Sequence, residues 1–267
     1  MNDPAAINRI ANEQSPSDPV YRAIVGLDVE RSTDRRNLVK VEMRRTYHDL
    51  TRSALEKTGI SPQQYDLWDR GDGVAVLIRP DDAVPQPLLL IKLIPTLAAL
   101  LAMHNSSVTK PELRLRMRVV IHAGNVHGDP NGFFGEALDV AFRLLDSRRL
   151  KETLRETTAS PLVLVVSQEI YDNVVYQGHV DPETYEQSIN VHVGGRLRRG
   201  WVHIPPSPDD DPDDRPALNS GASCVSQAAS ATLWLVRYGT PCAPGSVYRA
   251  LWHPGPKHGR PAARLFR

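Results

Sequence analysis

The chain has 267 residues, and its 32 Lys and Arg against 31 Asp and Glu give a formal net charge of +1. This near balance gives no support to a protein that binds nucleic acid through a uniform basic field, so no nucleic-acid partner is expected. Of its 22 prolines, ten fall in residues 205–267, so only the preceding part is expected to bury a core.

The N-terminal part predicts a tail, a strand and a helix. Residues 1–19 are polar and contain three prolines, so they are predicted to be disordered. They lack the apolar core of a signal peptide, so none is expected. The short apolar run Tyr21–Asp28 predicts a buried strand. Apolar and aromatic residues three or four positions apart then predict an amphipathic helix: Val39, Met43, Tyr47, Leu50 and Ala54.

A hairpin and a second helix follow. The runs Tyr65–Asp69 and Val74–Arg79 flank the sequence RGDG, which is typical of a β-hairpin. Leu88–Met103 is the most apolar stretch, and Pro95 should kink it or mark its first turn. Because this stretch is shorter than the roughly 20 residues that a membrane span needs, we expect a core helix, no membrane span and a cytoplasmic protein.

The next segments predict the rest of a layered domain. Leu113–Ala123 predicts a strand that enters a core, residues 124–135 a Gly- and Asn-rich loop, and residues 135–147 a helix with one apolar face. The order of the predicted strands and helices along the chain indicates an α+β fold, with a ferredoxin-like βαββαβ sheet and an αββ extension. The remaining predicted elements are the strand Leu162–Val166, the short helix Ser167–Val175, and the strands Ile189–Val193 and Trp201–Ile204.

The composition changes after residue 204. Residues 205–216 contain five aspartates and five prolines and predict an extended, charged linker. Residues 217–267 show no sustained period and predict a tail of low order, in which only residues 231–239 have the pattern of a strand.

Two acidic residues are predicted to meet at one edge of the sheet. Asp28 ends the first strand and Asp72 lies in the hairpin turn. Two close carboxylates repel one another unless they are protonated or bridged by a cation, and a pair of hard divalent ions would also suit phosphoryl chemistry. The structural alternative is that each aspartate only stabilises its own turn.

Two further groups of residues have a functional and a structural interpretation. Ser32 and Thr33 precede the first helix, where they would either bind a phosphate or cap the helix. Asp139 and Arg143 lie four residues apart on one helix, where they would either form a surface pair or present Arg143 to a phosphate.

Four motifs in this order resemble the class III nucleotidyl cyclase catalytic domain. The resemblance covers about residues 20–204, and it lies in DVERST from Asp28, RGDG from Arg70, RVVIHAG from Arg118 and GEALDVAFRL from Gly135. It implies a cyclase that converts a nucleoside triphosphate to its 3′,5′-cyclic monophosphate and pyrophosphate, with two Mn²⁺ or Mg²⁺ ions per site.

The resemblance also implies roles for single residues. Asp28, Asp72 and the backbone carbonyl of Val29 would hold the metal ions, and Arg143 would stabilise the transition state. Arg198 or Arg199, of which Arg199 is preferred, would hold the phosphates. The family works as head-to-tail dimers, so a homodimer is expected, with Asp28 and Asp72 from one subunit and Arg143 from the other.

The sequence departs from the family pattern at several positions. Arg31 and Ser32 replace a Gly-Phe pair, and Arg31 would serve as an added phosphate ligand. Asp139 replaces the Asn that holds the ribose. Trp68 and Gly132 replace the Lys and Asp with which adenylate cyclases read the base. A tryptophan can stack on a base but has one donor, so the residues that read a purine are missing.

In lacking the residues that read a purine, the chain resembles the pyrimidine cyclases of Pycsar anti-phage systems. That resemblance implies UTP as substrate and cyclic UMP as a messenger for a downstream effector. The alternatives are a cyclase for ATP or another base, including CTP, and a degenerate cyclase fold that binds nucleotides and dimerises. A diguanylate-cyclase-like enzyme is disfavoured because RGDGVAV lacks the second acidic residue of that hairpin motif.

Overall fold

The computed structural model describes residues 18–158 and 160–206. The disordered segment predicted for residues 1–19, the linker predicted for 205–216 and the tail predicted for 217–267 lie outside these residues, apart from residues 18, 19, 205 and 206. Those three predictions, and the predicted strand at 231–239, stay predictions.

One mixed β-sheet organises the described part of the chain. Its strand order is β2-β3-β1-β4-β6-β8-β7, and the short strand β5 pairs with β4 beside this path. β4 and β6 are parallel, and the other pairs are antiparallel. The strands are β1 (Val20–Val29), β2 (Tyr65–Asp69), β3 (Gly73–Ile78), β4 (Met117–Asp129), β5 (Gly132–Phe134), β6 (Leu162–Ser167), β7 (Glu186–Val193) and β8 (Arg196–His203).

Helices cover both faces of the sheet. One buried cluster joins α1, α2 and α5 to one face, and a second joins α3 and α4 to the other. α2 and α5 each contain one π-helical turn. The helices are α1 (Asn37–Lys57), α2 (Gln86–Ser107), α3 (Glu136–Leu145), α4 (Arg148–Glu156) and α5 (Gln168–Ile170, continued by the turn Tyr171–Val175).

The predicted α+β fold is confirmed. β1, α1, β2, β3, α2 and β4 follow one another as βαββαβ, and the order β2-β3-β1-β4 is that of a ferredoxin-like sheet. The extension contains α3, α4, β6, α5, β7 and β8. The strands that were predicted from apolar runs are buried. Their side chains pack against helices on both faces of the sheet, which is why the runs are apolar throughout.

Two details of the sequence prediction are wrong. The loop predicted for residues 124–135 is largely a hairpin, because β4 continues to Asp129 and pairs with β5. The Asp129 carboxylate accepts hydrogen bonds from the backbone N–H groups of Asn131 and Gly132 at 2.7 and 2.9 Å and so closes the turn. The sequence analysis also assigned no helix to residues 148–156, where α4 places Leu150 and Leu154 in the second cluster.

α2 is the apolar helix that the sequence analysis placed in the core. Leu93, Leu97 and Leu101 are buried in the first cluster. Pro95 lies in the first turn of the regular segment Ile94–Ser107, directly after the π-helical turn. Within the described residues, α2 is the one helix that is long and apolar enough to cross a membrane by length and composition. The absence of a membrane span therefore stays a prediction.

A buried histidine connects the sheet to α5. His122 of β4 is 3% exposed, and its Nδ1 lies 2.8 Å from the Ser167 hydroxyl oxygen and 3.3 Å from Oε2 of Glu169. The hydrogen bond with His122 holds the pKa of the Glu169 carboxyl at about 2, well below its usual 4.5. The ionised carboxylate thus stabilises the fold.

Glu169→Gln is expected to lower the free energy of unfolding by about 1 kcal/mol at pH 7, since the Glu169 side chain is 41% exposed and water screens the interaction. Because folding lowers the pKa of this carboxyl, its contribution is complete above about pH 4.5 and is lost as the pH falls towards 2. Urea unfolding between pH 7 and pH 3 should show the difference from wild type shrinking with acidity. A difference that stays constant with pH, or an equal effect of Glu183→Gln, would contradict this role.

Candidate active site

A cavity of about 1030 Å³ opens on the α3 face of the sheet, at the end where β1 finishes. Its walls come from β1, the β2–β3 hairpin, β5, α3 and the β7–β8 turn. It brings together five of the predicted site residues, which are far apart in the sequence: Asp28, Trp68, Asp72, Asp139 and Arg143.

The two predicted metal carboxylates lie at the ends of neighbouring strands. Asp28 of β1 is paired in register with Gly73, so Asp72 is the adjacent residue on the other strand. The Val29 N–H donates to the Asp72 carbonyl at 3.2 Å and fixes this junction. A Cβ atom on Gly73 would lie 2.0 Å from the Leu27 carbonyl oxygen, so this position requires glycine.

α1 fixes the hairpin turn that carries Asp72. Gly71 has φ +92°, a conformation that L-residues rarely adopt. The Tyr47 hydroxyl donates to the Gly71 carbonyl at 3.1 Å, and Arg44 bonds both Asp69 and that carbonyl. Asp69 in turn accepts a hydrogen bond from the Gly71 N–H at 2.7 Å. Contacts from α1 and from Asp69 of β2 therefore fix the conformation of the turn.

Arg118 lies in the third sequence motif, where no role was predicted for it, and it contacts the cavity residue Asp28 without itself lining the cavity. It lies opposite Asp28 in the β1–β4 register, and its guanidinium forms an ion pair with the Asp28 carboxylate. Burial lowers the pKa of Arg118, while the charge of Asp146 raises it. Arg118 Nε is buried without a hydrogen-bond partner among the described residues. Of the two predicted metal carboxylates, Asp28 therefore has its negative charge balanced by an arginine of the same chain.

The segment after β1 does not cap α1, so the structural alternative for Ser32 and Thr33 is wrong. α1 begins at Asn37, and its N-cap residue is Arg36. Ser32 is buried, and its hydroxyl lies 3.4 Å from Oδ2 of Asp72, whereas Thr33 is exposed. The pattern Ser-Thr-Asp is typical of a helix cap, but the buried Ser32 hydroxyl instead contacts the Asp72 carboxylate of the hairpin.

Arg31 occupies the position at which the resembled family has glycine. It is the one non-glycine residue with positive φ among the described residues, at +55°. Its guanidinium Nε lies 3.1 Å from Asp34 Oδ2, and both side chains are exposed. Arg31 is not among the residues that line the cavity, so its role as a phosphate ligand stays a prediction.

Arg31→Gly is expected to raise the free energy of unfolding by about 0.5–1 kcal/mol, because glycine adopts this φ without the cost that a Cβ atom adds. Urea denaturation at pH 7 measures the change. Arg31→Ala keeps the strain and removes the contact with Asp34, so it should leave the stability within about 0.5 kcal/mol of wild type. Equal gains from both variants would show that the strain is not the cause.

α3 presents Asp139 and Arg143 to the cavity. Both residues are exposed, and within residues 18–158 and 160–206 they form no ion pair with each other. α3 lies close to the sheet because small residues face it: a Cβ on Gly26 would lie 3.3 Å from Phe142, and one on Gly200 2.9 Å from Leu144. The cavity-facing interpretation of Arg143 is thus favoured over the surface pair.

Aromatic residues form one wall of the cavity. Trp68 of β2 makes edge contacts with Phe133 of β5 and Phe142 of α3, with ring centroids 6.4 Å apart in both pairs. The guanidinium carbon of Arg70 lies 3.3 Å from the Phe142 ring centroid and 5.8 Å from that of Trp68. The sequence analysis identified Trp68 but neither Arg70 nor the two phenylalanines.

The predicted phosphate-binding arginines of β8 do not line the cavity. Successive strand residues point to opposite faces, so Arg198 lies on the α3 face with Gly200. It forms an ion pair with Glu136, the first residue of α3. Arg199 is exposed on the other face, which carries Trp201. The phosphate-binding role of Arg199 stays a prediction, and the single chain gives it no contact with the cavity.

The donors at the carboxylate end of the cavity fit a hard divalent cation. Asp28 and Asp72 supply carboxylate oxygens, and Val29 can supply only its backbone carbonyl, since a valine side chain has no metal-ligating atom. The described residues contain no group of three or more His, Cys, Asp or Glu side chains suited to hold a metal ion. Two carboxylates suffice where phosphates and water complete the coordination, as is usual for Mg²⁺.

No family model and no curated protein matches this chain. It is similar to solved structures of nucleotide cyclases. The guanylyl cyclase Cya2 is 16% identical, with 73% of this chain and 97% of that chain covered and a TM-score of 0.49. An adenylate/guanylate cyclase/hydrolase from Silicibacter pomeroyi is 19% identical, with 71% and 99% covered and a TM-score of 0.47. The adenylyl cyclase CyaB from P. aeruginosa is 14% identical, with 72% and 98% covered and a TM-score of 0.47.

Proposed function

We propose that this protein is a nucleotidyl cyclase that converts a nucleoside triphosphate to its 3′,5′-cyclic monophosphate and pyrophosphate. One observation carries the proposal: the two strand-end carboxylates, Asp28 and Asp72, line one cavity together with Asp139 and Arg143 of α3. A cavity of about 1030 Å³ is at the upper end of the range for small-molecule sites. The four ordered sequence motifs support the same activity.

The reaction is an intramolecular displacement. The ribose 3′ oxygen forms a bond to the α-phosphorus, the bond from that phosphorus to the bridging oxygen breaks, and pyrophosphate leaves. The proton of the hydroxyl passes to solvent. Arg143 would oppose the negative charge that develops on the α-phosphate, and Asp139 would accept a hydrogen bond from a ribose hydroxyl.

Asp28, Asp72 and the Val29 carbonyl would hold two Mg²⁺ or Mn²⁺ ions. Bound divalent ions would neutralise the triphosphate and lower the pKa of the 3′-hydroxyl. Two side chains of this chain contact these carboxylates: the Ser32 hydroxyl lies 3.4 Å from Asp72 Oδ2, and the Arg118 guanidinium forms an ion pair with Asp28.

The active form would be a homodimer in which Asp28 and Asp72 of one subunit oppose Arg143 of the other, although the cavity of a single chain also contains all three residues. The substrate would be UTP, because Trp68 replaces the lysine that reads adenine. The product, cyclic UMP, would then activate a downstream effector in anti-phage defence in the cytoplasm.

Product analysis tests the proposed function. The full chain is incubated separately with ATP, GTP, CTP and UTP in the presence of Mn²⁺, and the products are identified by mass spectrometry. Cyclic UMP with an equal amount of pyrophosphate is the expected result. Cyclisation of ATP alone would overturn the pyrimidine proposal, and no cyclic product from any of the four would overturn the cyclase proposal.

The ion pair between Asp28 and Arg118 favours a second candidate, a cyclase fold that binds nucleotides and dimerises without turnover. An arginine that permanently occupied a metal-binding carboxylate would prevent catalysis while leaving the cavity intact. UTP that binds in a metal-dependent manner and is recovered unchanged would support this candidate.

A further inference from the structure

The ion pair between Arg118 and Asp28 belongs to a row of side chains that crosses the sheet. Asp28 of β1 and Val163 of β6 are the cross-strand neighbours of Arg118 in β4. The row lies on the α3 face, because side chains alternate along a strand and Val120, two residues further along β4, is buried with Val163 in the second cluster. One neighbour of Arg118 is thus apolar, and the other is a predicted metal ligand.

Arg118 has one partner for its charge. The two side chains of the pair are 12% and 17% exposed. Among the described residues, Asp28 is the one hydrogen-bond or ion-pair partner of the Arg118 side chain. Asp146 acts on Arg118 through its charge and forms its ion pair with Lys151. Because a buried guanidinium stays charged and is costly to leave unpaired, the contact with Asp28 is expected to persist when the cavity is filled.

Arg118 contacts the Asp28 carboxylate from outside the cavity lining. Asp28 lines the cavity, whereas Arg118 does not. The ion pair uses Oδ2 of Asp28, and no side chain or backbone group among the described residues donates a hydrogen bond to Oδ1. A pair of this kind leaves one carboxylate oxygen for a cation that enters from the cavity.

We infer that Arg118 is a positioning residue of the metal site, which fixes the Asp28 carboxylate so that its second oxygen binds a divalent cation in the cavity. The inference rests on the proposed function and deepens it, because it adds a residue that acts through a metal ligand. Carboxylates that bind metal ions are usually held by such outer contacts, and the loss of one typically weakens metal binding about 10- to 100-fold.

The opposite role for Arg118 would be competition with the cation. Its positive charge repels a cation, and its hydrogen bond occupies one oxygen of Asp28. The candidate without turnover depends on this competing role. The two roles predict opposite results, since the loss of a positioning residue weakens metal binding and the loss of a competitor strengthens it.

Titration of the full chain with Mn²⁺ alone tests the inference without substrate or turnover. Electron paramagnetic resonance measures the free ion and so gives the dissociation constants. Residues 209–214 contain five aspartates that can also bind Mn²⁺, so the difference between wild type and Asp28→Asn isolates the site of interest. Arg118→Met is expected to weaken the Asp28-dependent binding by about 10- to 100-fold. Arg118→Lys keeps the charge but not the planar fork and should weaken it by about 3- to 10-fold, which provides a second variant if Arg118→Met does not fold.

Two controls separate positioning from a structural role. Arg22→Met removes a half-buried arginine at the other end of β1, outside the cavity lining, and should keep the wild-type Mn²⁺ affinity. In the Asp28→Asn background, Arg118→Met should have no further effect on Mn²⁺ binding, because both residues act through one carboxylate. A structural role would lower the midpoint of thermal unfolding without this dependence on Asp28.

Three outcomes would overturn the inference: equal or tighter Mn²⁺ binding in both Arg118 variants, the same loss of binding in the Asp28→Asn background, or identical binding by wild type and Asp28→Asn. Tighter binding would identify the competing role. Failure of the proposed function has a different signature, since Mn²⁺ binding that depends on Asp28 and Arg118 together would sustain the inference even in a chain that forms no cyclic product.

Discussion

Asp72→Asn is expected to reduce cyclase turnover by about 10³-fold with either Mg²⁺ or Mn²⁺, since a lost metal carboxylate removes roughly 4 kcal/mol of transition-state stabilisation. Asparagine has nearly the same shape, so the backbone bond from Val29 N–H to residue 72 and the contact with Ser32 can both persist. Initial rates of cyclic nucleotide formation, measured at saturating substrate, provide the comparison.

The control for this variant is Asp82→Asn, an exposed aspartate outside the cavity. It should retain wild-type turnover, and both proteins should have the same midpoint of thermal unfolding within a few degrees. Full activity of Asp72→Asn would remove this residue from the metal site. A large fall in its unfolding midpoint would instead assign Asp72 to the stability of the hairpin.

Arg143→Ala is expected to reduce turnover by about 10³-fold or more, the range found when an arginine that stabilises a transferring phosphoryl group is lost. Because Arg143 is exposed on α3 and forms no ion pair among the described residues, its removal should leave the stability nearly unchanged. Substrate affinity should fall much less than turnover, since the charge that Arg143 opposes develops in the transition state.

A mixture of Asp72→Asn and Arg143→Ala shows whether one or two chains supply the site. In an interfacial dimer, half of the dimers in an equal mixture are mixed and each has one complete site, so about a quarter of wild-type turnover should return. The cavity of a single chain also contains both residues. If the site were complete within one chain, the mixture would stay inactive.

Local patterns were sufficient for most of the fold. The strand of Asp28, the helix of Met43 and Tyr47, and the RGDG hairpin follow from apolar spacing and turn chemistry, which act over a few residues. Strand ends also indicated that Asp28 and Asp72 would meet. The hairpin of β4 and β5 was missed because its Gly and Asn content is typical of loops as well as of tight turns.

Contacts between distant elements were not predictable from those patterns. Arg118 opposes Asp28 only through the register between β1 and β4, which 90 residues of separation do not reveal. Arg70 meets Phe142 only after α3 has packed on the sheet. Arg31 shows no local sign of its left-handed conformation, and its replacement of the motif glycine was interpreted only as an added phosphate ligand.

The central place of β1 has a consequence for how this protein reaches its native state. β1 pairs with β3 and β4, which are distant in the chain, and its pair with Arg118 closes a separation of 90 residues. Such non-local pairing slows folding, because the chain loses loop-closure entropy before the contacts between the strands can stabilise it. Asp28, Asp72 and Arg143 therefore come together only when the chain from β1 to α3 has been synthesised and the central strands have paired. A nascent or truncated chain that ends before residue 143 lacks Arg143 and therefore carries only an incomplete cavity.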